Sequence, residues 1–324
     1  MTFYSYSNKL DDHIQTIEQH WQKGIHKQLS GKKGRLFYTI HTPEHVEYTV
    51  VLIAGRIEAS HKYRELIWEL TQNNIAVYCC DHVGQGQSER LTTNKQMGYI
   101  EHFEDYADDL NIFMEQVVKP STNKHIFLLA HSMGGAICCD YLSRYQSNAI
   151  GAFICAPMLG INTAPFPNKV ARWITQSASC LGFSKHYALG QSDYKDKPFI
   201  DNDLTNSPER YAQFRALYAQ HSHLQLGGVS FAWLKAALNW TSQLPSLNNP
   251  IPLHVALAEQ DSIVNNQTTK LWTSMQNKSE VTFSEFALSK HELLNEEDSI
   301  RRPLLLQFYD FCESHISSGI DTGS

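Results

Sequence analysis

Short apolar segments alternate with amphipathic segments over the first half of the chain. Runs rich in β-branched and aromatic residues predict strands at 35–40, 46–53, 75–80, 125–130 and 150–156. Between them, apolar residues recur at three- and four-residue steps, which predicts helices near 61–73, 103–117 and 134–144. Strands that alternate with helices are typical of a mostly parallel sheet covered by helices on both faces. The pattern therefore predicts an α/β fold.

The alternation stops near Pro157 and resumes at Pro252. The segment between them shows no strand pattern and predicts helices near 167–181, 207–222 and 228–240. Beyond it, the chain predicts strands at 252–258 and 280–286, and helices at 267–276 and 300–317. We therefore expect one core, formed by 35–157 and 248–317, with a helical cap inserted at 158–247. An N-terminal helical extension at 1–34, with a helix over 11–28, and a flexible tail at 318–324 complete the expected organisation.

A serine stands at the point where one predicted strand turns into a helix. Residues 125–140 read HIFLLAHSMGGAICCD, with Ala130 two positions before Ser132 and Gly134 two positions after it. Small neighbours permit the sharp turn that exposes a nucleophilic serine in α/β-hydrolases, and the following helix directs its N–H groups at the site. The usual pattern has Gly where this chain has Ala130, a difference of one methyl group. An ordinary helix-capping serine is the alternative, but the flanking strand and helix favour a nucleophile.

A serine nucleophile needs a general base and a carboxylate that orients this base. In this fold the partners follow the serine in the order Asp or Glu, then His. Of the sixteen histidines in the chain, His291 alone lies in the loop between the last predicted strand and the last predicted helix, so we expect His291 to be the base. Asp261, just beyond the strand 252–258, is the expected acid, and Glu259 is its rival. The run His291–Asn295 resembles the zinc motif H-E-x-x-H but lacks its second histidine; we expect neither a metal nor a cofactor.

The loop after strand 46–53 is the expected source of an oxyanion hole. It reads Ala-Gly-Arg-Ile-Glu, and in this fold such a loop supplies one N–H group while the residue after the nucleophile supplies the other. These would be the backbone N–H groups of Arg56 and Met133. The Arg56 side chain could face a phosphate or the solvent. A glycine-rich turn at 81–88 is expected to brace these loops.

Four segments together resemble a known family: AGRIEAS, YCCDHVGQGQSERL, HFEDYADDL and LLAHSMGG. With the later Asp261 and His291, they resemble the bacterial lysophospholipases of the PldB type. These are similar to monoacylglycerol lipases and to serine aminopeptidases of the S33 type, within the α/β-hydrolase superfamily. The resemblance implies hydrolysis of the acyl ester of a lysophospholipid, with acyl transfer as a side activity, and peripheral contact with the inner membrane face. A monoacylglycerol lipase or small-ester esterase is the alternative.

The predicted cap would line an acyl channel in such an enzyme. Its candidate substrate-binding side chains are Trp173, Phe183, Phe231, Leu234 and Trp240. Each of these large apolar residues could equally belong to the cap's own core.

Net charge and hydropathy limit the class of binding partner and the location of the protein in the cell. A net charge of −6 argues against a nucleic-acid partner. No apolar run approaches the about 20 residues that span a bilayer, and the N-terminus lacks a signal-peptide pattern. We therefore expect a cytoplasmic enzyme. A non-catalytic binding protein with a degenerate hydrolase fold is a remote alternative, because all three candidate residues for the reaction are present.

Overall fold

In the computed structural model, residues 1–163, 165–244, 251–276 and 281–320 are described. Within these ranges, eight strands form one sheet in the order β1-β2-β4-β3-β5-β6-β7-β8. The strands are β1 (Ile25–Ser30), β2 (Arg35–His41), β3 (Tyr48–Ile53), β4 (Ile75–Cys80), β5 (Ile126–His131), β6 (Ala149–Cys155), β7 (Leu253–Ala258) and β8 (Val281–Phe286). Strand β2 pairs antiparallel with β1 and β4, whereas every pairing from β4 through β8 is parallel. The predicted α/β fold with a mostly parallel sheet is confirmed.

Helices cover both faces of this sheet. They are α1 (Leu10–Lys23), α2 (Arg64–Gln72), α3 (Glu104–Phe113), α4 (Lys119–Ser121), α5 (Met133–Arg144), α6 (Asn168–Cys180), α7 (Pro208–Gln220), α8 (Phe231–Thr241), α9 (Asn266–Met275) and α10 (Asp298–Ile320). Alternate residues of β3 enter two apolar clusters: Val51 packs with side chains of α3 and α5, and Val50 packs with those of α2 and α10. Because both faces are buried, the central strands are mostly apolar, which made them recognisable in the sequence.

The N-terminal segment is not purely helical, so this prediction was wrong in part. The helix expected over 11–28 ends at Lys23, and residues Ile25–Ser30 form the edge strand β1, antiparallel to β2. In β1 four positions are exposed and two, His26 and Leu29, are half-buried, so that none is fully buried. An edge strand that buries so little apolar surface carries no strong hydrophobic pattern.

The segment between β6 and β7 contains the three predicted helices, here α6, α7 and α8. It lies on the loop that follows β3: the Tyr218 hydroxyl of α7 donates to the Ile57 carbonyl at 2.6 Å and accepts from the Ala59 N–H at 3.2 Å. The predicted boundary at 247 lies outside the described residues, and the division into core and cap stays a prediction. At the other end, α10 continues to Ile320, beyond the expected end of this helix at 317.

None of the helices in the described ranges combines the length and the apolar character that a membrane span requires.

Candidate active site

Ser132 occupies the turn between β5 and α5. Its backbone has φ 53° and ψ −118°, a conformation that L-residues other than glycine seldom adopt. The turn is fixed on both sides, because the Ser132 N–H donates to the Cys155 carbonyl at 2.9 Å and the Ser132 carbonyl accepts from the Met158 N–H at 3.0 Å. Backbone strain of this kind persists only where surrounding structure enforces it, and it is concentrated at functional sites.

Two glycines permit the close packing around this serine. A Cβ atom on Gly134 would lie 2.1 Å from the Ile53 carbonyl oxygen, so only glycine lets α5 begin this close to β3. A Cβ atom on Gly55 would lie 3.1 Å from the Ser132 Cβ, which places the loop after β3 directly against the serine. Ala130, where the usual pattern has Gly, is fully buried in β5 and pairs with Ile53 and Ile154. The additional methyl group is therefore accommodated within the sheet.

The structure brings Ser132, His291 and Asp261 into one chain of hydrogen bonds. The His291 Nε2 atom lies 2.8 Å from the Ser132 Oγ atom. The His291 Nδ1 atom lies 2.7 Å from the Asp261 Oδ2 atom. Both distances are within hydrogen-bond range, and the order of contacts is that of a nucleophile, its base and an orienting acid.

The two candidate acids occupy different environments. The Asp261 side chain is fully buried, and its Oδ1 atom accepts from the N–H groups of Ile263 at 2.8 Å and Val264 at 3.0 Å. Burial disfavours its charge, but the hydrogen bond and charge of His291 and these two N–H donors prevail and hold the pKa of the carboxyl below its usual value. Glu259 is exposed and accepts instead from the Leu288 N–H at 2.8 Å. Asp261, and not Glu259, contacts His291.

The backbone groups expected to form the oxyanion hole lie beside Ser132. Met133 is the first residue of α5, and such a position leaves its N–H without an acceptor inside the helix. Arg56 follows Gly55, which packs against Ser132. The expected bracing by the turn 81–88 is confirmed: the Gln85 side-chain amide donates to the carbonyls of Gly55 at 2.7 Å and Glu58 at 2.8 Å. The role of the two N–H groups in catalysis stays a prediction.

A buried charged cluster next to the serine turn was not predicted from the sequence. Lys62 Nζ donates to Glu58 at 2.9 Å and to Glu292 at 2.5 Å, and all three side chains are almost fully buried. Glu58 also accepts from the Gly55 N–H at 2.5 Å and from the Tyr63 hydroxyl at 2.5 Å. The cluster thus holds the loop after β3 through Gly55 and holds the neighbour of His291 through Glu292.

His131, the residue before the serine, completes this cluster. Its Nδ1 atom lies 3.1 Å from the Glu58 carboxylate, and its Nε2 atom lies 3.1 Å from the His291 carbonyl oxygen. Both of these oxygens are acceptors, so both ring nitrogens must carry a proton. Burial opposes this charge, but Glu58 and Glu292 outweigh it and raise the pKa of His131 above its usual value. The imidazolium connects the loop after β3 to the backbone of His291.

The candidate cap residues do not share one environment. Trp240 is 5% exposed, packs on Phe103 and donates from its indole N–H to Asp140 at 3.0 Å. Its assignment to the substrate channel is therefore corrected: Trp240 belongs to the core. Phe231 and Leu234 are half-buried against the same core. Two other side chains are exposed, Trp173 at 71% and Phe183 at 48%.

Comparison with known proteins shows which family this sequence and this fold are similar to. The family described as serine aminopeptidase, S33, matches residues 44–298. Lysophospholipase L2 of Escherichia coli (strain K12) is 32% identical over 282 residues, which covers 85% of this chain and 83% of that protein. The probable lysophospholipase L2 of Haemophilus influenzae is 30% identical over 285 residues, or 86% of this chain and 88% of that protein. A soluble variant of the Saccharomyces cerevisiae monoglyceride lipase, solved with a substrate analogue, has a TM-score of 0.72 at 15% identity and covers 90% of this chain and 95% of its own; this likeness concerns the fold.

Proposed function

The chain belongs to the serine aminopeptidase S33 family, and from this premise we propose that it hydrolyses the acyl ester of lysophospholipids, to a free fatty acid and a glycerophospho-alcohol. It is a serine hydrolase with the α/β-hydrolase fold. The observation that carries the proposal is the chain of contacts from Ser132 through His291 to Asp261, at 2.8 and 2.7 Å. The substrate class is supported by the identity of 32% to a lysophospholipase over most of both chains.

The proposed mechanism assigns one role to each contact. His291 accepts the proton of Ser132 as the Oγ atom attacks the ester carbonyl, and Asp261 orients and stabilises the resulting imidazolium. The backbone N–H groups of Arg56 and Met133 hold the oxyanion of the tetrahedral intermediate. His291 then donates the proton to the leaving glycerophospho-alcohol. Water, activated by the same histidine, releases the fatty acid from Ser132.

Monoacylglycerol hydrolysis is the second candidate, because the same chemistry serves it and the S. cerevisiae monoglyceride lipase shares the fold. The two substrate classes differ only in the phosphate headgroup. A non-catalytic role is disfavoured, since the Ser132–His291 contact has the distance that proton transfer requires.

The substrate proposal predicts a measurable preference of the wild-type enzyme. With one acyl chain throughout, kcat/KM for a lysophosphatidylethanolamine should exceed kcat/KM for the monoacylglycerol and for a p-nitrophenyl ester by about tenfold or more, since a charged hydrogen bond to a phosphate is worth about 1.5–3 kcal/mol. Released fatty acid is the quantity to measure. Equal or faster cleavage of the monoacylglycerol would contradict the lysophospholipid assignment and leave the serine-hydrolase chemistry intact.

We further propose that the cap touches a lipid surface through α6 and the residues next to it. Its exposed apolar side chains recur at helical spacing and extend past the helix end: Phe166, Val170, Trp173, Leu181 and Phe183. The chain carries a net charge of −6, yet residues 161–192 contain no Asp or Glu and include Lys169, Arg172 and Lys185. An apolar face flanked by basic residues binds to anionic membrane surfaces. This contact would place the enzyme peripherally on a membrane where amphiphilic substrates gather.

Replacing Leu181 by Glu should weaken binding to vesicles of phosphatidylethanolamine and phosphatidylglycerol by about tenfold or more, because burying a leucine contributes about 1.5–3 kcal/mol. Leu181 is 74% exposed, so the fold itself should tolerate the change. Leu271→Glu is the matched control, since Leu271 is 63% exposed on α9, outside the cap. Cosedimentation measures both variants. Unchanged binding of Leu181→Glu, or an equal loss in the control, would rule out this surface.

A further inference from the structure

The Arg56 side chain leaves the loop beside the serine and reaches into the cap. Its Nη1 atom donates to the Gly227 carbonyl at 2.9 Å. Its guanidinium carbon lies 5.5 Å from the centre of the Trp233 ring, a cation–π contact. The residue is half-buried, so it keeps part of its surface exposed to solvent. Only one of its five N–H donors is used by this backbone contact.

Among the described residues, Arg56 has no anionic partner. Within the described ranges, no carboxylate lies within 4.0 Å of its guanidinium, whereas the buried Arg210 pairs with Glu65 at 2.9 Å and Asp298 at 2.8 Å. Burial lowers the pKa of Arg56 to about 10, and the hydroxyls of Tyr106 and Tyr187 counter this only in part. The group is still charged at neutral pH. A partly desolvated cation without a counter-ion is unfavourable, and an anionic ligand would relieve this cost.

A second hydrogen-bond donor lies close to this cation. The Tyr106 hydroxyl accepts from the Trp233 indole N–H at 3.1 Å. An indole N–H can only donate, so the proton of Tyr106 is left for another acceptor. In the described part of the chain, no protein group accepts this proton within hydrogen-bond distance. Arg56 and Tyr106 together therefore present unused donors and one unpaired positive charge at the junction of the core and the cap.

The position of this cation relative to Ser132 fits a particular ligand. Gly55 packs against the Ser132 Cβ and Arg56 is the next residue, so the Arg56 side chain starts beside the serine, and its guanidinium lies no more than one side-chain length from that backbone. In a lysophospholipid, only the glycerol backbone separates the ester carbonyl from the phosphate. Arginine is the residue best suited to bind phosphate oxygens, because its planar donors match their geometry.

We propose that the Arg56 side chain, with the Tyr106 hydroxyl, binds the headgroup phosphodiester of the substrate and so selects phosphate-bearing monoacyl lipids over monoacylglycerols. The inference rests on the proposed function and deepens it by naming the residues that read the headgroup. The competing role for Arg56 is purely structural, since its bond to Gly227 also ties the cap to the core. A structural role would affect all substrates alike, whereas a headgroup contact would affect only those that carry phosphate.

The test compares Arg56→Gln with the wild type on a lysophosphatidylethanolamine and a monoacylglycerol that share a short acyl chain, both below their aggregation concentrations. The backbone N–H of residue 56 is kept in this variant, so the measured quantity is the ratio of the two activities: the loss in kcat/KM should be roughly ten- to hundredfold larger on the lysophospholipid than on the monoacylglycerol, mostly through KM. Arg56→Lys keeps the charge without the planar set of donors. Its kcat/KM on the lysophospholipid should therefore lie between those of the wild type and Arg56→Gln. It also replaces Arg56→Gln if the latter fails to fold.

Arg90→Gln is the matched control. Arg90 is also half-buried, and it joins core and cap by donating to the carbonyls of Gly84 at 3.1 Å and His223 at 2.8 Å. Its loss should change both substrates by the same factor. If the wild type prefers the lysophospholipid but Arg56→Gln lowers both activities equally, the headgroup contact is refuted alone. If the wild type prefers the monoacylglycerol, the proposed function is refuted and the headgroup contact with it.

Inhibition separates a headgroup from free phosphate. Glycerophosphoethanolamine should inhibit p-nitrophenyl ester cleavage by the wild type, and at least about tenfold more weakly in Arg56→Gln. Inorganic phosphate should inhibit the wild type far less than glycerophosphoethanolamine does. Equal inhibition by the two compounds would overturn the assignment to a headgroup phosphodiester.

Discussion

Asp261→Asn is expected to lower kcat by about four orders of magnitude while the protein stays folded. An asparagine can still contact the His291 Nδ1 atom, but it cannot stabilise the imidazolium and it favours the wrong tautomer of the ring. The native carboxylate is held in a fixed orientation, because the N–H groups of Ile263 and Val264 donate to the oxygen that does not contact His291. The loss should therefore appear in kcat, with little change in KM. Steady-state kinetics on the lysophospholipid, together with thermal unfolding, measure both parts of this expectation.

Glu259→Gln is the control for this variant, since Glu259 was the rival acid. Its side chain is exposed and contacts the Leu288 N–H, not the histidine. We expect its kcat to stay within about threefold of the wild type, because exposed single contacts contribute little. If Glu259→Gln lost activity and Asp261→Asn did not, the two carboxylates would have to exchange roles.

Much of the core was predictable from the sequence because its strands are buried on two faces. Residues of β3 and β5 are buried at every position, so each strand is a mostly apolar run with a clear end. Ser132 was recognisable because one such run leads straight into a helix, and His291 because it alone among the histidines lies between the last strand and the last helix.

Features that depend on contacts between segments far apart in the chain have no comparable pattern in the sequence. Lys62 and Glu292 meet below the serine, and each alone looks like an ordinary charged residue on a helix or in a loop. The edge strand β1 was missed because it buries little apolar surface. Trp173 and Trp240 both lie on cap helices, yet one is 71% exposed and the other 5%. Residue type and helical spacing do not reveal which helix face meets the core.

The charged cluster gives the site a rigid support that the three reacting side chains lack by themselves. Through Glu58 it holds Gly55, and through His131 it holds the His291 carbonyl. Two acids and two bases, Glu58, Glu292, Lys62 and His131, balance one another in a region almost without solvent. A buried charge left without its partner is costly, so the four groups are expected to depend on one another. The loop after β3 and the base are thereby positioned by one connected network.

Ser132 is the proposed nucleophile, and Ser132→Ala has the largest expected effect of any variant. Its hydrolysis of a lysophosphatidylethanolamine should fall by about 10⁶-fold, the scale of loss when the serine of such a triad is removed. The side chain is small and 7% exposed, and alanine removes one oxygen, so stability should be nearly unchanged. The backbone conformation of the turn, with φ 53°, is the one feature that alanine must still adopt.

The most direct measurement is covalent labelling with a fluorophosphonate, followed by mass spectrometry of the modified peptide. We predict that the wild type takes up one equivalent on Ser132 and loses its hydrolytic activity in proportion, and that Ser132→Ala is not labelled. Labelling of a different residue, or a Ser132→Ala variant that hydrolyses the lysophospholipid at the wild-type rate, would contradict the account.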